Sequence, residues 1–427
     1  MITAEENELL SRVGPGTPMG ELMRQYWIPV IFASELQKDG RPSRVRLLGE
    51  NLIAFQDTFG RVGLLADNCS HRGASLFFGR NEEGGLRCVY HGWKYDVEGR
   101  CVDMPNEPPE SNFKDKIQHV AYPCQEHGGV IWTYMGPRRV PPPFPDLEWT
   151  KLLPENRHVT QTLRECNWLQ GLEGDIDTSH LYFLHSRLQA GDKGQDGAYH
   201  LDKSPHLEIV PTEYGVKYGA RRIEDDKHYY WRITQYMMPF HTLFPPGGAA
   251  GVPGHIWVPL DDHNHMVWSL IWKPDGPIPP GGGYRGGGGY VDPGYLEPST
   301  DWLGRWRNKA NASNDYMIDR DKQREVNFTG IPTIPLQDTA VTESMGRIFD
   351  RTKEHLGTSD AMIIQVRRLL MNSAKELQEQ GVTPPGVDHP ELYRVRSASL
   401  VLPKEARWQD ATEETLKAFT ELPVASA

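Results

Sequence analysis

The chain has 427 residues, 38% of them hydrophobic, enough to bury the cores of two or three domains. A formal net charge of −11 argues against nucleic acid or an anionic membrane as a partner. Residues 1–20 lack the basic and apolar stretches of a secretory signal, and no apolar run approaches bilayer length, so the expectation is a cytoplasmic protein.

Residues 1–26 read as an N-terminal arm. Short β-rich runs follow at 44–48, 52–55, 62–65 and 129–134, punctuated by turn signals such as Asp57-Thr58-Phe59-Gly60. This pattern describes a small β-sandwich over residues 27–137. Inside it lies Cys69-Ser70-His71 and, after sixteen intervening residues, Cys88-Val89-Tyr90-His91. Two thiolates and two imidazoles on paired loops are the ligand set of a Rieske [2Fe–2S] cluster, the thiolates on one iron and the imidazoles on the other. Structural zinc is the competing reading, but a single residue between Cys69 and His71 is tight for closing a tetrahedron. The small residues around both histidines also suit backbone approach to bridging sulfides. Cys101, Cys124 and Cys166 form no disulfide framework and read as reduced thiols.

A stiff proline-rich linker, Arg138 through Pro145, opens the second domain, residues 138–427. Its first chemical feature is Asp177-Thr178-Ser179-His180, with His185 five residues further on. On a regular helix that interval is about 140°, so both imidazoles reach one metal only if the helix ends or distorts between them. Periodicity alone would leave them structural. An iron–sulfur domain in the same chain changes that balance, because a cluster delivers single electrons and needs an acceptor. Two imidazoles and one carboxylate on one face of Fe(II) leave positions open for O2. Asp177, three residues before His180, is expected on the same helical face and within reach of the nitrogen of His180 that does not bind metal, with Glu173 and Asp175 as competitors.

Strands are expected at 206–210, 216–222, 229–238, 254–259 and 266–272, then helices at about 339–356 and 360–380. The fold class is therefore α+β: an N-terminal Rieske β-sandwich plus a C-terminal domain with an antiparallel sheet flanked by helices. Seven glycines in the nine residues 281–289 suggest a mobile loop. Arg222 and Arg232, on strands rich in aromatics, are candidates for pairing with a substrate carboxylate. The distal iron ligand is one of Asp338, Glu343, Asp350 and Asp360, which residue types alone do not separate.

The segments CSHRGASLFFGRNEEGGLRCVYHGWKYD (from Cys69) and NWLQGLEGDIDTSHLYFLH (from Asn167) resemble the Rieske non-haem iron oxygenases. The similarity is to large oxygenase components of the phthalate dioxygenase type, and it extends to the arm ENELLSRVGPGTPMGELMRQYW. The resemblance implies a catalytic mononuclear Fe(II) held by His180, His185 and Asp338, the last being followed five residues later by the acid Glu343. It implies that Asp177 links His180 to a cluster histidine of a neighbouring subunit, in a homotrimer or stacked trimers. It further implies an aromatic acid as substrate, oxidised with O2 by ring hydroxylation or dihydroxylation, or else by O-demethylation. No dinucleotide fingerprint or plant-type ferredoxin motif is present, so electrons would come from a separate NADH-dependent flavin/[2Fe–2S] reductase. An electron carrier or redox sensor, with an idle second metal site, is the alternative from another class.

Overall fold

The computed structural model describes residues 2–188, 202–245, 251–279 and 291–418. The glycine-rich stretch 281–289 lies outside them. The arm forms two short helices, α1 (Ala4–Ser11) and α2 (Pro18–Arg24). Thr3 caps α1 in a reciprocal box with Glu6, and Thr17 caps α2 ahead of Pro18 at the first helical turn.

The first domain is built from three small antiparallel sheets. Strand β1 (Trp27–Phe32) pairs with a later hairpin. Strands β2 (Ser43–Leu47), β3 (Glu50–Gln56) and β4 (Val62–Ala66) form the second sheet. The turn between β3 and β4 has the expected chemistry: Gly60 sits at φ +82°, and Asp57 accepts from the backbone N–H of Phe59 and Arg61. The third sheet comprises β5 (Arg80–Glu82), β6 (Gly85–Arg87), β7 (Lys94–Tyr95) and β8 (Cys101–Asp103), strands too short to show a period. The hairpin β9 (Cys124–His127) and β10 (Val130–Tyr134) completes the sheet with β1. The proline-rich segment is packed as well as stiff: Phe144 sits against Trp27 and Trp132, and the Trp27 indole donates to Pro142 O.

The second domain holds one eight-stranded antiparallel sheet of β11 (Arg157–Arg164), β12 (His206–Thr212), β13 (Gly215–Ile223), β14 (His228–Met237), β15 (His241–Leu243), β16 (Val252–Asp261), β17 (Asn264–Trp272) and β18 (Ala398–Pro403). Its order is β11-β17-β16-β15-β14-β13-β12, with β18 paired to β14. The helices are α3 (Trp168–Ile176), α4 (Leu181–Leu184), α5 (Arg320–Glu325), α6 (Ile334–Ser344), α7 (Ala361–Gln380) and α8 (Trp408–Ala411). α7 matches the expected 360–380 helix and ends at Gly381, φ +68°. The helix expected at 339–356 is corrected. It starts five residues earlier, at Ile334-Pro335, and stops before Gly346, whose φ of +92° suits a residue without Cβ. Both arm helices pack on α7, so a continuous apolar core runs from the arm through β1 and β10 into the large sheet.

Candidate active site and iron–sulfur hairpins

The two cysteine–histidine loops repeat one backbone design. Cys69 N–H donates to Ala74 O and Gly73 N–H returns to Cys69 O; Cys88 N–H donates to Trp93 O and Gly92 N–H returns to Cys88 O. Each loop closes through a glycine with positive φ, +74° at Gly73 and +79° at Gly92, where any side chain would be strained. Both thiols are buried, while the imidazoles of His71 and His91 meet at 4.4 Å between ring centres, His71 stacked on Trp93. The buried Nδ1 of His71 has no hydrogen-bond partner, and the Tyr95 hydroxyl lies 3.2 Å from Cys69 Sγ. Among the described residues, no three of these four ligands converge as a single tetrahedral ion would require, whereas a two-iron cluster divides them into pairs. The four side chains therefore fit a [2Fe–2S] cluster.

One group among the described residues does converge: His180, His185 and Asp338 offer ligand atoms that all lie within 4.8 Å of one another. His180 Nε2 is 3.2 Å from His185 Nε2, and Asp338 Oδ1 is 3.2 Å from the latter and 3.8 Å from the former. The helix does end between the expected positions. Asp177 is the extended C-cap of α3, and α4 is a single turn with His180 at its start and His185 at its end. This corrects the shared helical face expected for Asp177 and His180. The aspartate instead approaches from the link between two helices, its Oδ2 3.4 Å from His180 Nδ1, and it accepts from Ser179 N–H.

Two glutamines, invisible to motif reasoning, set this geometry. Gln337 donates its amide N–H to Ile331 O, which fixes its oxygen toward His185 Nδ1 at 2.8 Å. A carbonyl oxygen only accepts, so His185 carries its proton on Nδ1 and presents the bare Nε2 to the site. Gln170 of α3 donates to Thr342 O and Gly346 O of the α6 terminus and accepts from Phe349 N–H, tying the first turn of α3 to the end of the helix that carries Asp338. Burial disfavours charge on Asp338, yet His185 and then His180 hold its carboxyl well below the usual carboxylate range.

The other acids have different employment. Glu343 accepts from Glu165 N–H and the Tyr316 hydroxyl; Asp350 caps Thr352; Asp360 accepts from Gly357 N–H. Glu173 pairs with Arg351 and Arg367, and Asp175 faces His255 Nδ1 at 3.0 Å.

The triad opens on a cavity of about 230 Å³. Its floor is one face of the large sheet, as the register requires: Thr162 pairs with Val267, Val267 with Trp257, and Tyr218 with Thr234, all lining residues. Arg232 lines this cavity. Arg222 does not: it is corrected to a buried structural residue that donates to Thr178 O and Oγ1, behind the wall. Arg164, which no motif marks, lines it too.

Residues 26–122 match the Rieske [2Fe-2S] domain family, and residues 133–423 match the family described as LigXa C-terminal domain like. The 3-chlorobenzoate-3,4-dioxygenase oxygenase subunit of Comamonas testosteroni is 42% identical, over 98% of this chain and 99% of its own. The chain belongs to the Rieske oxygenases. The phthalate 4,5-dioxygenase oxygenase subunit of Pseudomonas putida is 36% identical, over 96% of this chain and 94% of its own. The 5,5'-dehydrodivanillate O-demethylase oxygenase subunit of Sphingobium sp. (strain NBRC 103272 / SYK-6) is 32% identical, over 98% of this chain and 90% of its own. This Rieske oxygenase is thus an O2-dependent oxidoreductase carrying a [2Fe–2S] cluster and a mononuclear iron. The electron-carrier alternative falls with it, since the second domain belongs to the family and its triad is assembled. Among the described residues, no helix is long and apolar enough to cross a membrane.

Proposed function

We propose that this Rieske oxygenase is the terminal component that oxidises a small aromatic acid, with electrons delivered by a separate NADH-dependent flavin/[2Fe–2S] reductase. The observation that carries the reading is the triad's place in the wall of a cavity floored by Trp257, Tyr218 and Val267, with guanidinium groups among its other walls. Flat apolar surface suits an aromatic ring, and a buried cation suits a carboxylate. Support also comes from the relatives named for 3-chlorobenzoate and phthalate.

His180, His185 and Asp338 would hold Fe(II), with Gln337 keeping the proton of His185 on Nδ1, away from the site. A mononuclear Fe(II) in this site, fed with electrons by the cluster, would supply the activation of O2 that the reaction needs. The protein's part is to hold the ring beside the triad and to keep the site dry. Asp177 positions His180 and offers its carboxylate to a cluster histidine of a neighbouring copy. The exposure of Val89 and Tyr90, beside His91, supports docking of that hairpin on a second copy in a homotrimer, single or stacked. O-demethylation of a methoxylated aromatic acid is the second reading, favoured by the 32% identical O-demethylase subunit. It uses the same residues and differs in which carbon faces the iron.

The test is reductase-coupled oxygen uptake with 3-chlorobenzoate, phthalate and a methoxybenzoate, with product identification. Uptake matched mole for mole by NADH use and a hydroxylated or demethylated product is expected. Uptake that no aromatic acid stimulates, with no product, would overturn the proposal.

A further inference from the structure

One cation in the cavity wall forms no ion pair among the described residues. Arg164, the last residue of β11, lies on the same sheet face as Thr162 and lines the cavity with it. It is only 5% exposed, its guanidinium stands 5.0 Å over the Trp257 ring, and its buried Nε has no hydrogen-bond partner. Among the described residues, no carboxylate forms an ion pair with it. A guanidinium cannot shed its proton, and burying one without a counter-charge is costly, so the contact with the indole offsets only part of the loss. The acid whose charge Arg164 does influence is Asp338, and a metal bound to the triad claims that carboxylate. Arg232, on β14, already bonds the Tyr230 hydroxyl, and Arg222 serves Thr178. What Arg164 lacks is an anion arriving from the cavity.

We propose that Arg164 is the specificity-determining residue that pairs with the substrate carboxylate, anchoring the acid group beside Trp257 so that the ring lies toward the triad. The inference rests on the aromatic-acid reading above and names the group that reads the acid. A planar fork facing a carboxylate gives two parallel charge-assisted bonds, which an amide of the same shape cannot match.

The experiment is equilibrium binding by calorimetry to the anaerobic holoenzyme, with 3-chlorobenzoate and 3-chlorobenzamide as probes. The wild type is expected to bind the acid roughly 10- to 100-fold more tightly than the amide. Arg164→Gln should lose that factor for the acid and leave the amide nearly unchanged, with iron content and cluster absorption confirming an intact site. Arg232→Gln should retain most of the preference. Acid binding that survives in Arg164→Gln and disappears in Arg232→Gln would overturn the assignment while keeping the aromatic-acid reading. Equal binding of acid and amide by the wild type would remove that reading and this inference with it. Should Arg164→Gln not fold, Arg164→Lys decides: its point charge cannot make the paired bonds, and an acid-to-amide ratio unchanged from wild type would contradict the proposal.

Discussion

At His180 a proton and a metal compete for one nitrogen lone pair. Burial disfavours the imidazolium, but Asp177, 3.4 Å away, and Asp338 outweigh it and raise the pKa above the ordinary histidine value. A metal takes only the neutral ring, so below that pKa loading the apo site must expel a proton. Fe(II) affinity should therefore be full above the raised pKa and fall by about tenfold per pH unit below it. Anaerobic Fe(II) titrations across that range check this; a pH-independent affinity would contradict it. His180→Ala, His185→Ala and Asp338→Ala should each lose the mononuclear iron while the cluster spectrum persists. Asp360→Ala should keep it, because that carboxylate is committed to the Gly357 N–H. Iron analysis in which Asp360→Ala strips the site and Asp338→Ala does not would reverse the ligand assignment. Asp177→Asn keeps the size and exchanges an acceptor for a donor, so both metals should remain while turnover drops by roughly 10- to 100-fold. Normal turnover would return Asp177 to a capping role. The candidate cluster ligands were legible in the sequence because they sit in two short loops with fixed spacing. Gln337 and Arg164 were not, because their partners, His185 and the cavity, come from distant parts of the chain.

The elements that matter most are α3, the single turn α4 and α6. Their positions depend on close approach as much as on helix propensity. Gly171, in the middle of α3, faces the sheet: a Cβ there would lie 2.6 Å from the Trp257 ring and 2.7 Å from His265 Nε2. Helix propensity alone favours alanine at such a position, by up to about 1 kcal/mol. Overpacking should win, so Gly171→Ala is expected to cost about 1–3 kcal/mol and to displace α3 and, through Asp177, the turn that carries His180 and His185. A lowered Tm together with substoichiometric mononuclear iron would show it; unchanged Tm and full iron would refute the packing argument. The long strands of the large sheet and α7 were readable from period and length. The five-residue shift at the start of α6 was not, because Ile334-Pro335 begins a helix without a side-chain cap, while Gln170 secures its far end across the fold. The strands β5 to β8 carry too few residues for any periodicity; β6 and β7 are brought together by the Cys88 loop between them, which closes through Cys88 N–H to Trp93 O.

Across the molecule, one buried ionic network joins the arm to the catalytic helices. Glu173 of α3 meets Arg351 and Arg367, Arg367 also meets Glu354, and Arg351 reaches Asn7 of α1. Removing the shared carboxylate leaves two guanidinium groups short of a partner, so Glu173→Gln should destabilise the fold by about 3–5 kcal/mol. Denaturant unfolding measures this; a loss below about 1 kcal/mol would mean that water or neighbouring acids compensate. The network ties α1 to α3 and α7, on which both arm helices pack, so the arm belongs to the catalytic body, which the linear order of segments does not reveal. This one chain carries two separate iron centres of different chemistry. Iron and acid-labile sulfide analysis of the purified protein, wild type beside His180→Ala, tests it most directly. A Rieske [2Fe–2S] cluster with a mononuclear site requires about three iron atoms and two sulfides per chain, falling to two and two in the variant. Zinc without sulfide, or two irons per chain that His180→Ala does not change, would contradict it.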